Sequence, residues 1–131
     1  MYVLDTNTVI HYFKGMGMVA ENLFAKAPAD IALPSIVLYE LEVGLLKSDQ
    51  AQKRRGQLDS FVSFLKVLPY GEIEAKASAE IRIMLEAQGL GIGPLDTLIA
   101  GTVLSHGGVL VTRNTREFDR VAGLQVENWF D

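Results

Sequence analysis

The stretch Tyr2-Val3-Leu4-Asp5-Thr6-Asn7 constrains the fold more than any other part of this 131-residue chain. Three apolar, β-favouring residues run directly into a carboxylate, and small polar residues able to cap a helix follow. A buried strand of an α/β sheet ends in this way, at the lip where open parallel sheets place their ligands. Taken alone, Asp5 is also what a helix cap or a turn requires. Its meaning depends on whether other carboxylates reach the same place.

Short strand-like runs recur at 31–33, 66–68, 109–112 and 124–126. Helix-patterned stretches at 7–13, 19–26, 36–47, 49–64, 72–88 and 94–105 lie between them. This alternation predicts an α/β fold with a central, mainly parallel sheet of about five short strands, in a single domain over 1–131. With 49% hydrophobic residues the chain can bury a core without disulfides, and it contains no cysteine. No apolar run approaches the roughly 20 residues of a bilayer span, and no secretion signal opens the chain. A cytoplasmic location without membrane contact is the expectation. Sixteen acidic against twelve basic residues give a net charge of −4, which argues against a protein that coats nucleic acid. An enzyme that holds phosphate through bound cations stays compatible with that balance.

The acids stand in unusual places. The helix at 36–47 begins after Ser35, placed as its N-cap, and is apolar almost all round, so it is expected to be buried. Yet it carries Glu40 and Glu42, and Glu40 shares a stripe with Gly44 and Ser48. A carboxylate there requires a cation or hydrogen-bond donors: either a lysine or arginine partner, or a ligand that approaches over Gly44. The basic group Lys47, Lys53, Arg54 and Arg55 reads best as a solvated face. Pro94 suits the first position of a helix, which puts Asp96 in the first turn, either as an ordinary capping residue or at a cleft. The strand at 109–112 ends on Arg113-Asn114-Thr115-Arg116-Glu117-Phe118-Asp119. His11 and His106 lack ligand spacing and read as ordinary helix histidines. Gly89-Leu90-Gly91-Ile92-Gly93 has no phosphate-loop pattern.

Strand C-termini and the helix starts that follow them share one edge of a parallel sheet, so Asp5, Glu40 and Asp96 can converge there. Three clustered carboxylates repel one another unless a cation joins them. Hard oxygen donors without cysteine point to Mg²⁺ or Mn²⁺ rather than zinc. Phosphodiester hydrolysis is the chemistry such a site suits best.

Leu4-Asp5-Thr6-Asn7, Tyr39-Glu40-Leu41 with Gly44 and Ser48, Gly93-Pro94 with Asp96, Ile99 and Ala100, and Val111-Thr112-Arg113-Asn114-Thr115-Arg116-Glu117-Phe118 resemble, in this order, the motifs of PIN domains. More narrowly they resemble the VapC-type toxin ribonucleases of bacterial type II toxin–antitoxin pairs, which the ending Val126-Glu127-Asn128-Trp129 also fits. The resemblance covers essentially the whole chain. It implies a three-layer α/β/α sandwich and an Mg²⁺- or Mn²⁺-dependent endoribonuclease for structured RNA, with the anticodon loop of initiator tRNA cut by several relatives. It further implies a homodimer and inhibition by a VapB antitoxin lying across the active-site groove, with operator DNA bound only through that complex. By the same resemblance Asp5, Glu40 and Asp96 are metal ligands and catalytic residues, supported by Thr6, Asn7 and Thr112. Many PIN domains carry an aspartate where this chain has Asn114, so Glu117 is assigned as the fourth catalytic acid and Asn114 as its support. Arg113 and Arg116 are assigned to RNA phosphate, or to pairing with the acids in the resting protein. Two other classes differ in kind: a co-repressor module without nuclease activity, and an aspartyl-phosphate enzyme using Asp5. The second lacks the acid two residues after Asp5 that such nucleophiles carry.

Overall fold

Five strands of three or four residues each hydrogen-bond in the order β3-β2-β1-β4-β5. They are β1 (Tyr2–Leu4), β2 (Ile31–Pro34), β3 (Lys66–Leu68), β4 (Val109–Val111) and β5 (Gln125–Glu127), in a computed structural model that describes residues 1–131. All four pairings are parallel. Parallel strands are covered on both faces, and this explains why β1, β2 and β4 are continuous apolar runs instead of alternating ones. Val3, Leu4, Leu33, Leu110 and Val111 are fully buried at the centre of the core.

Seven helices connect the strands: α1 (Thr6–Phe13), α2 (Val19–Phe24), α3 (Ser35–Lys47), α4 (Ala51–Ser63), α5 (Glu72–Ala87), α6 (Pro94–Ser105) and α7 (Thr115–Phe118). The steps β1→β2→β3 move one way across the sheet, and β3→β4→β5 move the other. With right-handed crossovers, α1–α4 cover one face and α5–α7 the opposite one, giving three layers. Trp129 closes the sheet at one side, its ring 5.5 Å from that of Tyr2.

The α5–α6 contact aims α6 at the sheet edge, and it depends on small residues. A Cβ on Gly101 would lie 2.0 Å from Ser78 Oγ and 2.9 Å from Ser78 Cα. At the far end of this pair Glu74 accepts the Gly71 N–H at 2.8 Å and stands 3.2 Å from His106 Nε2. Those backbone donors hold the Glu74 carboxyl below its ordinary range, with His106 helping.

Three local expectations are corrected. Ser35 is the first residue of α3 and caps nothing; Pro34, extended at φ −62° and ψ 143°, takes the cap position and ends β2. Helix α3 is not buried all round. Val37, Leu41 and Leu45 face the core, while Tyr39 and Leu46 are 57% and 74% exposed. The polar helix starts at Ala51 because Ser48 Oγ accepts the Gln50 N–H at 3.1 Å in a turn before it.

Candidate active site

β1 and β4 are neighbours, and the chain leaves their carboxyl ends toward opposite faces of the sheet, α1 to one and α7 to the other. Ligands bind open α/β sheets at such a crevice. Asp5 stands at its floor, 7% exposed. It caps α1, its Oδ1 accepting the Thr8 N–H at 2.9 Å, and its own N–H donates to Val111 O at 3.1 Å. The Thr8 hydroxyl donates to the same carbonyl at 3.0 Å. Asp5 is thus both a helix cap and a fixed carboxylate, and the two readings of this residue are compatible.

The two glutamates of α3 separate cleanly. Glu42 pairs with Arg55, Oε2 to Nη2 at 2.6 Å, and that hydrogen bond keeps its carboxyl below the ordinary range. Glu40 has no cationic partner. It accepts the hydroxyl of Thr6 at 2.7 Å, which ties α3 to the residue immediately after Asp5.

Asp96 lies in the first turn of α6, with Pro94 at the helix start as expected. Its carboxyl is pushed up from 3.8 to about 6, by burial first and then by the negative charges of Glu117, Glu40 and Asp5. Three acids from distant parts of the chain therefore lie near enough to act on Asp96. No three of the four stand close enough together to grip an ion as positioned. All the donors are hard oxygens, with no thiolate or imidazole among them, and this set fits Mg²⁺ or Mn²⁺.

Glu117, on α7, is positioned from two sides. The Asn114 amide donates to its Oε2, and the Gly93 N–H donates to Oε1 at 3.3 Å. Asn114 is itself placed by Thr112, whose buried hydroxyl accepts its backbone N–H at 3.0 Å. Asn114 directly, and Thr112 through it, thus position the Glu117 carboxylate. Asn7 is exposed, and its side chain takes no part in these hydrogen bonds. Arg113 makes no ion pair with the acids; its guanidinium lies 3.6 Å above the ring of Phe130. Arg116 is exposed and unpaired.

The family model described as PIN domain matches residues 2–124. The chain belongs to the PIN-domain family. Its relatives include VapC proteins. The chain is 37% identical over 128 residues, 98% of this chain and 97% of the relative, to the "tRNA(fMet)-specific endonuclease VapC" of Shigella flexneri. It is 34% identical, over 98% of both chains, to "Ribonuclease VapC2" of Rickettsia felis. Two solved structures superpose with a TM-score of 0.91 at 36% identity over 98% of this chain. They are VapBC2 of Rickettsia felis bound to a promoter DNA fragment, covered over 98%, and DNA-bound VapBC of Salmonella typhimurium, covered over 97%.

The PIN motifs miss Thr8; they include Gly93 without showing that its N–H holds Glu117, and they miss Phe130 beneath Arg113. The first was legible in principle, since a helix cap satisfies the N–H two or three residues on. The other two are contacts between segments far apart in sequence, which no local pattern encodes.

Proposed function

We propose that this PIN domain, one unit over residues 1–131, is an Mg²⁺- or Mn²⁺-dependent endoribonuclease and the toxin of a type II toxin–antitoxin pair. The observation that carries this reading is the crowding of Asp96 by Glu117, Glu40 and Asp5 at the β1–β4 crevice. Asp5, Glu40 and Asp96 hold the cation and Glu117 serves as the fourth acid. Held there, a divalent cation would supply an activated water and offset charge on the phosphodiester. The remaining work belongs to the chain itself. Thr8 holds Asp5 in place, Thr6 orients Glu40, and Asn114 with Gly93 orients Glu117. Arg113 and Arg116 offer positive charge to the RNA backbone where the acidic cluster would otherwise repel it.

A groove of about 270 Å³ leads away from Glu40 between α1, α3 and α4, lined by Ile10, Phe13, Gly44, Arg54 and Leu58. Gly44 opens it, since nothing lies within 4 Å of where a Cβ would be. This is the course we assign to a VapB antitoxin segment, which would block access to the acids. Exposed Tyr39 and Leu46 on α3 offer apolar surface to a partner chain. The reading includes a homodimer, operator DNA bound only through the antitoxin complex, and a cytoplasmic site of action. No helix is long and apolar enough to cross a membrane.

The substrate class is tRNA, cut in the anticodon loop, where unpaired bases can be splayed out and read; initiator tRNA is the first candidate. Sequencing RNA 5′ ends after induction tests this. New ends confined to one tRNA loop, present with the wild type and absent with Asp5→Asn, are expected. No difference between the two, beside operator binding by the antitoxin complex, would instead support a co-repressor without nuclease activity.

A further inference from the structure

Phe130 is held more firmly than a residue in an irregular segment needs to be. Its carbonyl accepts the Met18 N–H at 2.8 Å, and its N–H donates to Asn128 Oδ1 at 2.8 Å. Gly17, at φ +60°, leaves the space its ring occupies; a Cβ there would lie 2.8 Å from the ring carbons. The imidazole of His11 meets the ring nearly edge-on, 4.8 Å between centroids. Against the ring sits the guanidinium of Arg113, 3.6 Å from the centroid.

Arg113 follows Thr112 directly, and Asn114, the next residue, holds Glu117. Arg113 thus lies just beyond the carboxyl end of β4, between that strand and α7, at the sheet edge where the acids also lie. Four other arginines spend donors on protein acceptors: Arg55 on Glu42 and Asp59, Arg82 on Glu86, Arg54 on Ser48, and Arg120 on the Gly91 carbonyl; Arg116 is unpaired but has no aromatic ring to hold it. Arg113 donates to nothing, and a stacking contact uses only the flat face of the guanidinium. The N–H fork along its edge stays free, and it matches two oxygens of a phosphate. Stacking also restricts a long side chain before binding, so less freedom is lost when an anion arrives.

We infer that Phe130 is a positioning residue for RNA binding: it presents the Arg113 fork to a backbone phosphate beside the scissile bond. This rests on the proposed nuclease function. Phe130 touches neither substrate nor cation and acts through Arg113. It stands in no PIN motif, one residue beyond the Val126–Trp129 ending.

The test is steady-state cleavage of unfractionated tRNA with Mg²⁺ by the full chain freed of antitoxin. Absence of cleavage by the wild type would refute the nuclease function itself; a failure confined to Phe130 leaves the wild type cleaving, so the two are distinguishable. Given cleavage, Phe130→Leu is expected to raise KM about two- to fivefold at unchanged kcat, the range of one exposed cation–π contact. Phe130→Tyr and Phe130→Trp, which keep an aromatic face, restore the wild-type KM. Arg113→Ala raises KM about tenfold or more, as loss of a charge-assisted hydrogen bond does, and flattens the slope of log KM against log salt by about 0.7. Adding Phe130→Leu to Arg113→Ala changes nothing more. Arg113→Lys keeps the charge but loses both the flat contact and the fork, so it raises KM at least as much as Phe130→Leu without disturbing the 128–131 segment. An unchanged KM in Arg113→Lys, a fall in kcat alone, or full additivity of the two substitutions would overturn the inference.

Discussion

Replacing Asp96 by asparagine should abolish cleavage and at the same time stabilise the cation-free protein. The carboxyl is raised from 3.8 to about 6 by burial and by three neighbouring negative charges. At 1.36 kcal/mol per pKa unit, roughly two units correspond to about 3 kcal/mol. Asp96 is only half-buried, so solvent screening brings the expected cost of its charge to about 1–2 kcal/mol. The native carboxyl binds its proton more tightly than the unfolded one, so this cost appears as pH rises from about 4 to about 6 and stays constant above. Asparagine has nearly the same shape and no charge. Thermal melts in EDTA at pH 7.5 should therefore place Asp96→Asn about 3–8 °C above the wild type. The gap should shrink steadily between pH 6 and pH 4. Adding Mg²⁺ at pH 7.5 should raise the wild-type Tm and move the variant much less, since the cation binds the folded state through this group. A variant equal to or less stable than the wild type across the whole pH range, in EDTA, would show that the four acids do not crowd one another.

Other substitutions separate the parts of the site. Thr6→Val removes the 2.7 Å hydrogen bond to Glu40 and should slow single-turnover cleavage about tenfold with an unchanged circular dichroism spectrum. Asn114→Ala frees one side of Glu117 and should raise the Mg²⁺ concentration needed for half-maximal cleavage about tenfold, an effect typical of residues that orient metal ligands. Gly101→Ala should lower stability in urea by about 2–3 kcal/mol, because its methyl would overlap Ser78 on the facing helix. Arg55→Ala breaks an exposed ion pair with Glu42 away from the acid cluster; cleavage should persist and Tm should move by about 2 °C or less.

How far the sequence reveals this protein differs between its parts. Strand positions were legible because buried parallel strands are short apolar runs punctuated by Pro and polar residues, and all five lie where expected. Asp96 was legible because Pro94 fixes a helix start and hence the place of the next residues. Glu40 and Glu42 were not separable by local pattern, since both sit on one helix. What separates them is Arg55 on α4, which neutralises Glu42 and leaves Glu40 to Thr6. Local pattern overstates the burial of α3 for a related reason. An apolar residue such as Leu46 looks the same in sequence whether a core or a partner chain is to cover it. Arg113 does not pair with the acids, and its guanidinium lies instead over Phe130. In each case the deciding contact joins residues a dozen or more positions apart.

The central claim is that Asp5, Glu40, Asp96 and Glu117 work together through a bound divalent cation to cut RNA. Cleavage of tRNA by the purified chain, measured with Mg²⁺, with EDTA, and with EDTA followed by excess Mn²⁺, tests it most directly. Cleavage that stops in EDTA, returns with Mn²⁺ and is absent from Asp5→Asn under every condition is the predicted result. Undiminished cleavage in EDTA, or by Asp5→Asn, would contradict it.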